Sequence, residues 1–232
     1  RDVERSRGLG DVYKRQDLNL VLQKRYALLN WQQGSGKTAA VYHRAKYLLK
    51  FRRARNVIIL APAIATNMTW IPFLTVNKER FRTIQTAGDL DNVPEGTFLV
   101  VSTSMLRKLK RGLKRFIKHT SGKLCLVFDE SDEITNPTSQ RTRNVLCIFR
   151  RLRYKILDTG TTTRNNIAEL YSQFELLYNN SVNMICWSPQ VYHENRDREI
   201  EEENNPDYGT PFPAFRGHVL FRACHCPGKA NV

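Results

Sequence analysis

The sequence predicts an α/β fold, with a mostly parallel sheet and helices on both faces. The first observation behind this prediction is that short apolar runs of strand length alternate with segments of helical periodicity, which is the pattern of βαβ units. The second is the composition, because 41% of the 232 residues are hydrophobic, enough for one sizeable core. The longest apolar runs, such as 57–62, are far shorter than a membrane span. We therefore expect a globular chain that does not cross a membrane.

The apolar runs and the periodic segments fix the expected elements. The predicted strands are Tyr26–Trp31, Val57–Ala61, Thr83–Thr86, Phe98–Ser102, Leu124–Phe128 and Lys155–Thr159. Three helices are predicted from apolar residues that repeat every three or four positions. The first spans 38–50 and has Val41, Ala45, Leu48 and Leu49 on one face. The second spans 106–118 and buries Leu106, Leu109, Leu113, Phe116 and Ile117. The third buries Ile167, Leu170, Phe174 and Leu177 and has Asn165 or Asn166 as its N-cap.

The two ends of the chain differ from its centre. Residues 1–16 (RDVERSRGLGDVYKRQ) have no apolar period and no signal-peptide pattern, and they resemble a translated sequencing-adapter read-through. We interpret them as a non-native scar. Beyond residue 178 an acidic run over 199–203 is followed by a stretch rich in Pro and Gly. We interpret 179–232 as an irregular connection or insertion that is cut short, which leaves 17–178 as the main domain.

The five cysteines indicate a reduced, intracellular protein, because their number is odd and Cys125 lies in an apolar run. We expect a cytoplasmic protein, encoded by a microbe or a phage. Cys224 and Cys226, with two histidines nearby, have the residue types of a zinc site, but no second pair matches their spacing. Ordinary loop residues are the alternative interpretation.

The chain is strongly basic, with 37 Lys and Arg against 22 acidic residues and a net charge of +15. Residues 107–123 contain eight Lys or Arg and no acid, and residues 141–155 contain six. Such clusters bind phosphate backbones by releasing counterions, which predicts a nucleic-acid partner. A merely solvated basic surface is the alternative.

The strongest functional signal is the string Gly34-Ser35-Gly36-Lys37-Thr38, which follows a predicted strand and opens a predicted helix. Glycines there let backbone N–H groups close around phosphate oxygens, and the helix N-terminus favours negative charge. Lys37 is placed to reach the β- and γ-phosphates, and the Thr38 hydroxyl to ligate Mg²⁺. The string predicts an ATP-binding P-loop, although Trp31 stands where the strict pattern has Gly. A chance match in a loop is the alternative.

A second candidate site is the acidic string Asp129-Glu130-Ser131-Asp132, which ends a wholly apolar predicted strand. Ligands of parallel sheets bind at the carboxyl ends of strands. We predict that Asp129 holds Mg²⁺ and that Glu130 orients the attacking water for phosphoryl transfer. A solvated acidic turn is the alternative.

The order of these motifs resembles the helicase superfamily two ATPases, most closely the Swi/Snf-type DNA translocases. GSGKT resembles their motif I, DESD resembles the DExH/D motif II, and TGTTTRNNIAELYSQFELL is similar to their TGTPxQNNxxELxxLxxFL segment, which contains motif III. ILAPAIATNMTW resembles motif Ia with the Trp that follows it, and VVSTSML lies where the next nucleic-acid-contacting motif belongs. The resemblance covers about 26–178. Three residues depart from the pattern, namely Asp132 for His, Thr162 for Pro and Arg164 for Gln.

This resemblance implies a RecA-like P-loop NTPase lobe with ATP and Mg²⁺ as cofactors and double-stranded DNA as partner. It also implies that four residues lie near the nucleic-acid backbone, namely Ala61, Pro62, Ser102 and Thr103. It further implies that the strength of DNA binding is coupled to the bound nucleotide through Asp132, Thr159, Gly160 and Thr161. The family's second RecA-like lobe, with its arginine finger, has no room in 179–232. The parent protein would be an ATP-driven translocase, and the chain alone would hydrolyse ATP negligibly.

Two other interpretations remain open at this stage. One is another superfamily-two motor, such as a DEAD/H RNA helicase or a restriction motor subunit; the TGT form of motif III argues against the RNA-helicase branch. The other is a non-catalytic nucleic-acid-binding module that keeps a relic ATP site.

Overall fold

The computed structural model describes residues 22, 24–32, 34–161 and 167–178. Several predictions lie outside the described residues. They are those on the end segments 1–16 and 179–232, the zinc candidates Cys224 and Cys226, and the helix caps Asn165 and Asn166.

One all-parallel sheet of six strands forms the centre of the described chain. Its strands are β1 (Tyr26–Asn30), β2 (Asn56–Ala61), β3 (Phe81–Thr83), β4 (Phe98–Ser102), β5 (Leu124–Phe128) and β6 (Tyr154–Thr159). Their order across the sheet is β1-β6-β5-β2-β4-β3. Strand β6 therefore lies between β1 and β5, with Leu157 paired to Phe128 and Asp158 paired to Leu29. The predicted α/β fold class is confirmed.

Helices cover both faces of this sheet. They are α1 (Lys37–Lys50), α2 (Ile71–Val76), α3 (Leu106–His119), α4 (Gln140–Phe149) and α5 (Tyr171–Tyr178). Successive strand residues point to opposite faces, so Val57 and Ile59 of β2 belong to the buried cluster that contains residues of α1, whereas Ile58 belongs to the cluster that contains residues of α3, α4 and α5. Every residue of β2, β5 and β6 is buried, which explains the continuous apolar runs of β2 and β5, whereas β6 also buries Lys155 and Asp158. Within the described ranges, no helix has the length and apolar content that crossing a membrane requires.

The sequence misplaces the third strand. It predicts Thr83–Thr86, whereas β3 spans Phe81–Thr83. The Asp89 carboxylate accepts the backbone N–H groups of Gln85 at 2.8 Å and Thr86 at 2.7 Å. Because these bonds make Thr86 the N-cap of a following 3₁₀ turn, the chain bends away from the sheet before the predicted strand end.

A helical stretch that the sequence pattern does not predict follows β2. A single helical turn (Ala63–Ala65) leads into a π-helical turn (Thr66–Trp70) and then into α2. Such π-helical turns are rare and occur frequently at functional sites. This one ends at Trp70, whose side chain is fully buried.

The last helix, α5, buries polar residues that the apolar pattern does not predict. The pattern places Phe174 and Leu177 inside, but Phe174 is only partly buried, whereas Gln173 and Glu175 are buried. Glu175 is tolerated because it forms an ion pair with Arg150, next to α4. Helix α5 therefore combines this ion pair with the buried apolar residues Leu176 and Leu177.

Candidate nucleotide-binding site

The carboxyl ends of three neighbouring strands form the candidate site. Strand β1 leads into the glycine-rich loop, β5 leads into the acidic turn, and β6 lies between these two strands. Ligands of open parallel sheets bind at this edge. The structure therefore brings the predicted phosphate-binding and acidic segments together.

Two glycines determine the conformation of the loop. Gly34 has a φ of 74° and Gly36 a φ of 88°, both in the left-handed region. A Cβ at either position would have no described atom within 4 Å, so the loop requires glycine for its backbone conformation and not for space. Helix α1 begins directly after Gly36, and its unpaired N–H groups open onto the loop.

The loop also holds polar side chains that lack a protein partner. Ser35 Oγ and Lys37 Nζ are buried, and neither atom has a hydrogen-bond partner among the described residues. A buried ammonium or hydroxyl without a partner is costly. A phosphate group would provide both atoms with acceptors, so the residues present fit the phosphates of a nucleotide.

The acidic turn after β5 is not a solvated loop. Asp129 is only 8% exposed, and its Oδ2 accepts the indole N–H of Trp70 at 2.7 Å. Glu130 has a φ of 53°, a left-handed conformation that costs energy in a residue with a side chain. Burial raises the pKa of Glu130, and the positive charge of Lys37 opposes that rise. The three predicted catalytic residues, Lys37, Asp129 and Glu130, therefore belong to one electrostatic cluster.

Thr38 and Asp129 are the predicted Mg²⁺ ligands. Thr38 lies in the first turn of α1 and is partly buried. In the part of the chain that the structure describes, no group of three or more His, Cys, Asp or Glu side chains could hold a metal ion. Mg²⁺ in nucleotide sites usually takes one or two carboxylates and completes its shell with phosphate and water. One hydroxyl and one carboxylate fit a cation of that kind.

Asp158 is a residue of this site that the sequence reasoning missed. It lies next to the end of β6, is 1% exposed and shares a hydrogen bond with the Asp129 carboxyl. Burial, followed by the charge of Asp129, raises the pKa of Asp158 well above its ordinary value. The available signal in the sequence was an aspartate directly after the apolar pair Ile156-Leu157 of a predicted strand, because strands buried on both faces of a parallel sheet are usually apolar there.

A hydrogen-bonded contact joins the end of β6 to the acidic turn. Thr159 Oγ1 lies 3.3 Å from Asp132 Oδ1 and 2.9 Å from the Thr161 carbonyl oxygen, and it accepts the Thr161 N–H at 3.1 Å. The single hydroxyl hydrogen can be donated to only one of the two acceptors at a time. Three of the predicted coupling residues are therefore in contact, and Gly160, which is partly exposed, links two of them.

The four predicted nucleic-acid positions lie further along the same edge. Ala61 at the end of β2 is paired with Ser102 at the end of β4, on the far side of β5 from the glycine-rich loop. Ala61 and Thr103 are buried, so their side chains offer little surface to a ligand. Pro62 and Ser102 are partly exposed and are the members of the set that could touch nucleic acid.

The two basic clusters differ in exposure. On α3 the basic side chains that point to solvent, here called the basic face, are Arg107, Lys108, Arg111, Lys114, Arg115 and Lys118. In the second cluster Lys155 is buried inside β6, and Arg150 pairs with Glu175. Lys155 and the largely buried Arg150 are therefore not available to a phosphate backbone, which corrects the interpretation of the 141–155 cluster for these two residues, while its other four Arg residues are exposed.

Comparison with solved structures gives two similar folds. The Sulfolobus solfataricus SWI2/SNF2 ATPase core in complex with dsDNA matches with a TM-score of 0.61 and 16% identity, over 93% of this chain and 42% of that chain. The Sulfolobus solfataricus SWI2/SNF2 ATPase core domain matches with a TM-score of 0.55 and 16% identity, over 90% of this chain and 41% of that chain. The fold is the α/β fold of RecA-like P-loop NTPases. The likeness to a SWI2/SNF2 ATPase core agrees with the resemblance of the motifs.

This RecA-like chain spans about two fifths of the length of the solved structures that it matches. At the level of sequence, no protein-family model and no curated protein matches the chain. The likeness therefore concerns the fold.

Proposed function

We propose that the chain is the ATP-binding lobe of a Swi/Snf-like, DNA-dependent ATPase that moves along double-stranded DNA. The observation that carries the proposal is the pair of buried, unpartnered atoms Ser35 Oγ and Lys37 Nζ in a loop with two left-handed glycines. These groups lie at the sheet edge that also holds Asp129 and Glu130. A site with this donor set binds the triphosphate of a nucleotide and orients water toward it.

Each residue has a defined task in this proposal. The backbone from Gly34 to Thr38 and the Lys37 ammonium bind the phosphates. Thr38 and Asp129 would hold Mg²⁺, which supplies neutralisation of phosphate charge when bound. Glu130, held in a left-handed conformation beside Lys37, orients the water that attacks the terminal phosphate. Trp70 fixes the Asp129 carboxylate through its indole N–H.

The division of the chain is part of the proposal. Residues 17–178 form the lobe, 1–16 are foreign to it, and 179–232 begin a connection. A second RecA-like lobe of the natural chain supplies the arginine finger, whose absence costs about 10³ to 10⁵ in rate in related chemistry. The 232-residue chain is therefore expected to bind nucleotide weakly and to hydrolyse ATP negligibly. We assign it to the cytoplasm of a microbe or a phage-infected cell.

Double-stranded DNA is the proposed partner for two reasons. The basic face of α3 presents a dense row of exposed cations to solvent, which suits a phosphate backbone. One of the two similar solved structures is a complex with dsDNA. RNA is the competing partner, and a comparison of the two nucleic acids as stimulants of ATPase activity in the longer parent protein separates them.

Nucleotide binding by the 232-residue chain tests the central claim. We expect a fluorescent ATP analogue to bind the wild type in the presence of Mg²⁺ and to lose at least about tenfold in affinity in Lys37→Ala, because a charge-assisted phosphate contact disappears. Lys50→Ala is the matched control, since Lys50 is an exposed lysine at the other end of the same helix. Equal binding by all three proteins, or binding by none, contradicts a P-loop function.

The longer parent protein tests catalysis. We expect Glu130→Gln to retain nucleotide binding and to lose DNA-stimulated hydrolysis, because the amide does not accept a proton from the attacking water. If both Lys37→Ala and Glu130→Gln leave DNA-dependent activity intact, the motor proposal is wrong and a nucleic-acid-binding module with a relic ATP site is the better description.

A further inference from the structure

The buried carboxyl of Asp158 has no task in the function proposed above. Strand β6 lies between the strand that leads to the P-loop and the strand that leads to the acidic turn, so Asp158 is at the centre of the site. Its side chain points to the same face of the sheet as the Asp129 side chain, because the two carboxyls are hydrogen-bonded. The charges of Lys37 and Glu130 also act on it.

The second observation is an oxygen atom without a partner. Asp158 is 1% exposed, and its Oδ1 makes no hydrogen bond to any residue that the structure describes. A buried carboxyl oxygen in this condition costs folding free energy, and a leucine, which has the same branched shape but no polar atom, would avoid that cost. The arrangement is explained if the oxygen gains a partner when a ligand binds.

A divalent cation is the partner that suits two adjacent carboxyls. Mg²⁺ and similar hard cations bind oxygen ligands, and affinity rises with the number of carboxylates supplied. Trp70 already occupies Oδ2 of Asp129. The unpartnered Oδ1 of Asp158 would add a second carboxylate to the proposed ligands Thr38 and Asp129.

We infer that Asp158 is an additional ligand of the divalent cation, so that this lobe binds the cation through two carboxylates even before nucleotide arrives. The inference rests on the proposed nucleotide site and deepens it. It assigns to Asp158 a direct role in cation binding, beyond its contribution to the sheet.

Terbium luminescence tests the inference without any catalytic readout. Tb³⁺ is a probe for oxygen-ligated cation sites, and Trp70, which donates to Asp129, is the sensitiser. We expect nucleotide-free protein to give sensitised emission that Mg²⁺ displaces, and Asp158→Asn to lose at least about tenfold in Tb³⁺ affinity. Asp158→Leu is expected to lose the site and to melt at a higher temperature, because the buried polar group is gone. Glu95→Gln, which removes an exposed acid elsewhere, is the control.

The outcomes are separable. Wild-type Tb³⁺ affinity in Asp158→Asn overturns the inference, and so does the absence of sensitised emission from the wild type. If the fluorescent ATP analogue still binds in those cases, the proposed nucleotide site survives and only the role of Asp158 is wrong. If neither the analogue nor Tb³⁺ binds, the proposed function itself fails. A lower melting temperature in Asp158→Leu together with unchanged Tb³⁺ affinity would assign Asp158 a structural role alone and overturn the inference.

Discussion

Lys155 gives a prediction whose size follows from the structure. This residue is 1% exposed within β6, and its Nζ donates to the carbonyl oxygens of Arg150 and Leu176, both at 2.6 Å. Burial, reinforced by the charge of Arg150 and opposed by that of Glu175, lowers the pKa of Lys155 to about 8. A neutral amine keeps two hydrogens, enough for both carbonyl acceptors, so losing the proton sacrifices neither bond.

The sign of the pH dependence follows from the two pKa values. Between about pH 8 and 10.5 the unfolded chain keeps a proton on Lys155 that the folded chain has released. The free energy of unfolding therefore rises with pH across this window, by about 1.4 kcal/mol per unit and about 3 kcal/mol in total. Below pH 8 both states carry the charge, and the contribution no longer changes with pH.

The assay is guanidinium unfolding of the wild type and of Lys155→Met at several pH values from 7.5 to about 10.5. The difference in unfolding free energy between the two proteins isolates the contribution of Lys155, because all other titratable groups are present in both. We expect the wild type to gain stability relative to the variant as the pH rises. Lys114→Met, which removes an exposed lysine, is expected to show no such trend. A difference between wild type and Lys155→Met that stays constant with pH refutes the reasoning.

Two further predictions concern coupling and DNA binding. Thr159→Val removes the hydroxyl beside Asp132 and is expected to lower the unfolding free energy of the chain by about 1 kcal/mol. In the parent protein, the same substitution should reduce DNA stimulation of the ATPase and leave nucleotide affinity unchanged. Equal losses of DNA stimulation and nucleotide affinity would contradict a coupling role. Arg111→Ala and Lys114→Ala on the basic face are each expected to weaken duplex binding regardless of DNA sequence and to reduce the slope of log affinity against log salt concentration by about 1. The control Lys50→Ala is expected to change neither the affinity nor the slope. An unaltered slope in the two α3 variants would exclude the basic face as the DNA contact.

The sequence predicts the fold well where a single physical requirement dominates. The limits of β4 and β5 are predicted to the residue, because a strand buried on both faces must be apolar throughout and ends where polar residues begin. The start of α1 is predicted within one residue. Gly36 adopts a left-handed conformation that is incompatible with a helix, so the helix can begin only after it.

Prediction fails where side-chain hydrogen bonds decide the local structure or the make-up of the site. The Asp89 carboxylate ends β3 by capping Thr86, a bond that no periodicity reveals. The role of Trp70 depends on a hydrogen bond to a residue 59 positions later in the chain. The sequence marks Asp158 as unusual within a strand, but only the strand order, with β6 between β1 and β5, places it in the site. For Trp70 and Asp158 the missing information is a pairing across the fold, whereas the Asp89 bond is local and is missed because apolar periodicity does not register a capping box.

The strand order has a consequence for how the chain acquires its shape during synthesis. Within the described residues, β1 has β6 as its sole strand neighbour, and the pairing of Tyr26 with Lys155 joins segments about 130 residues apart. Such non-local pairing forms late in folding, because closing the long intervening loop costs conformational entropy before the pairing stabilises the chain. The P-loop that follows β1 can therefore be completed only after β6 has left the ribosome. If the proposed site binds nucleotide, retention on immobilised ATP would select molecules in which β6 has already joined the sheet.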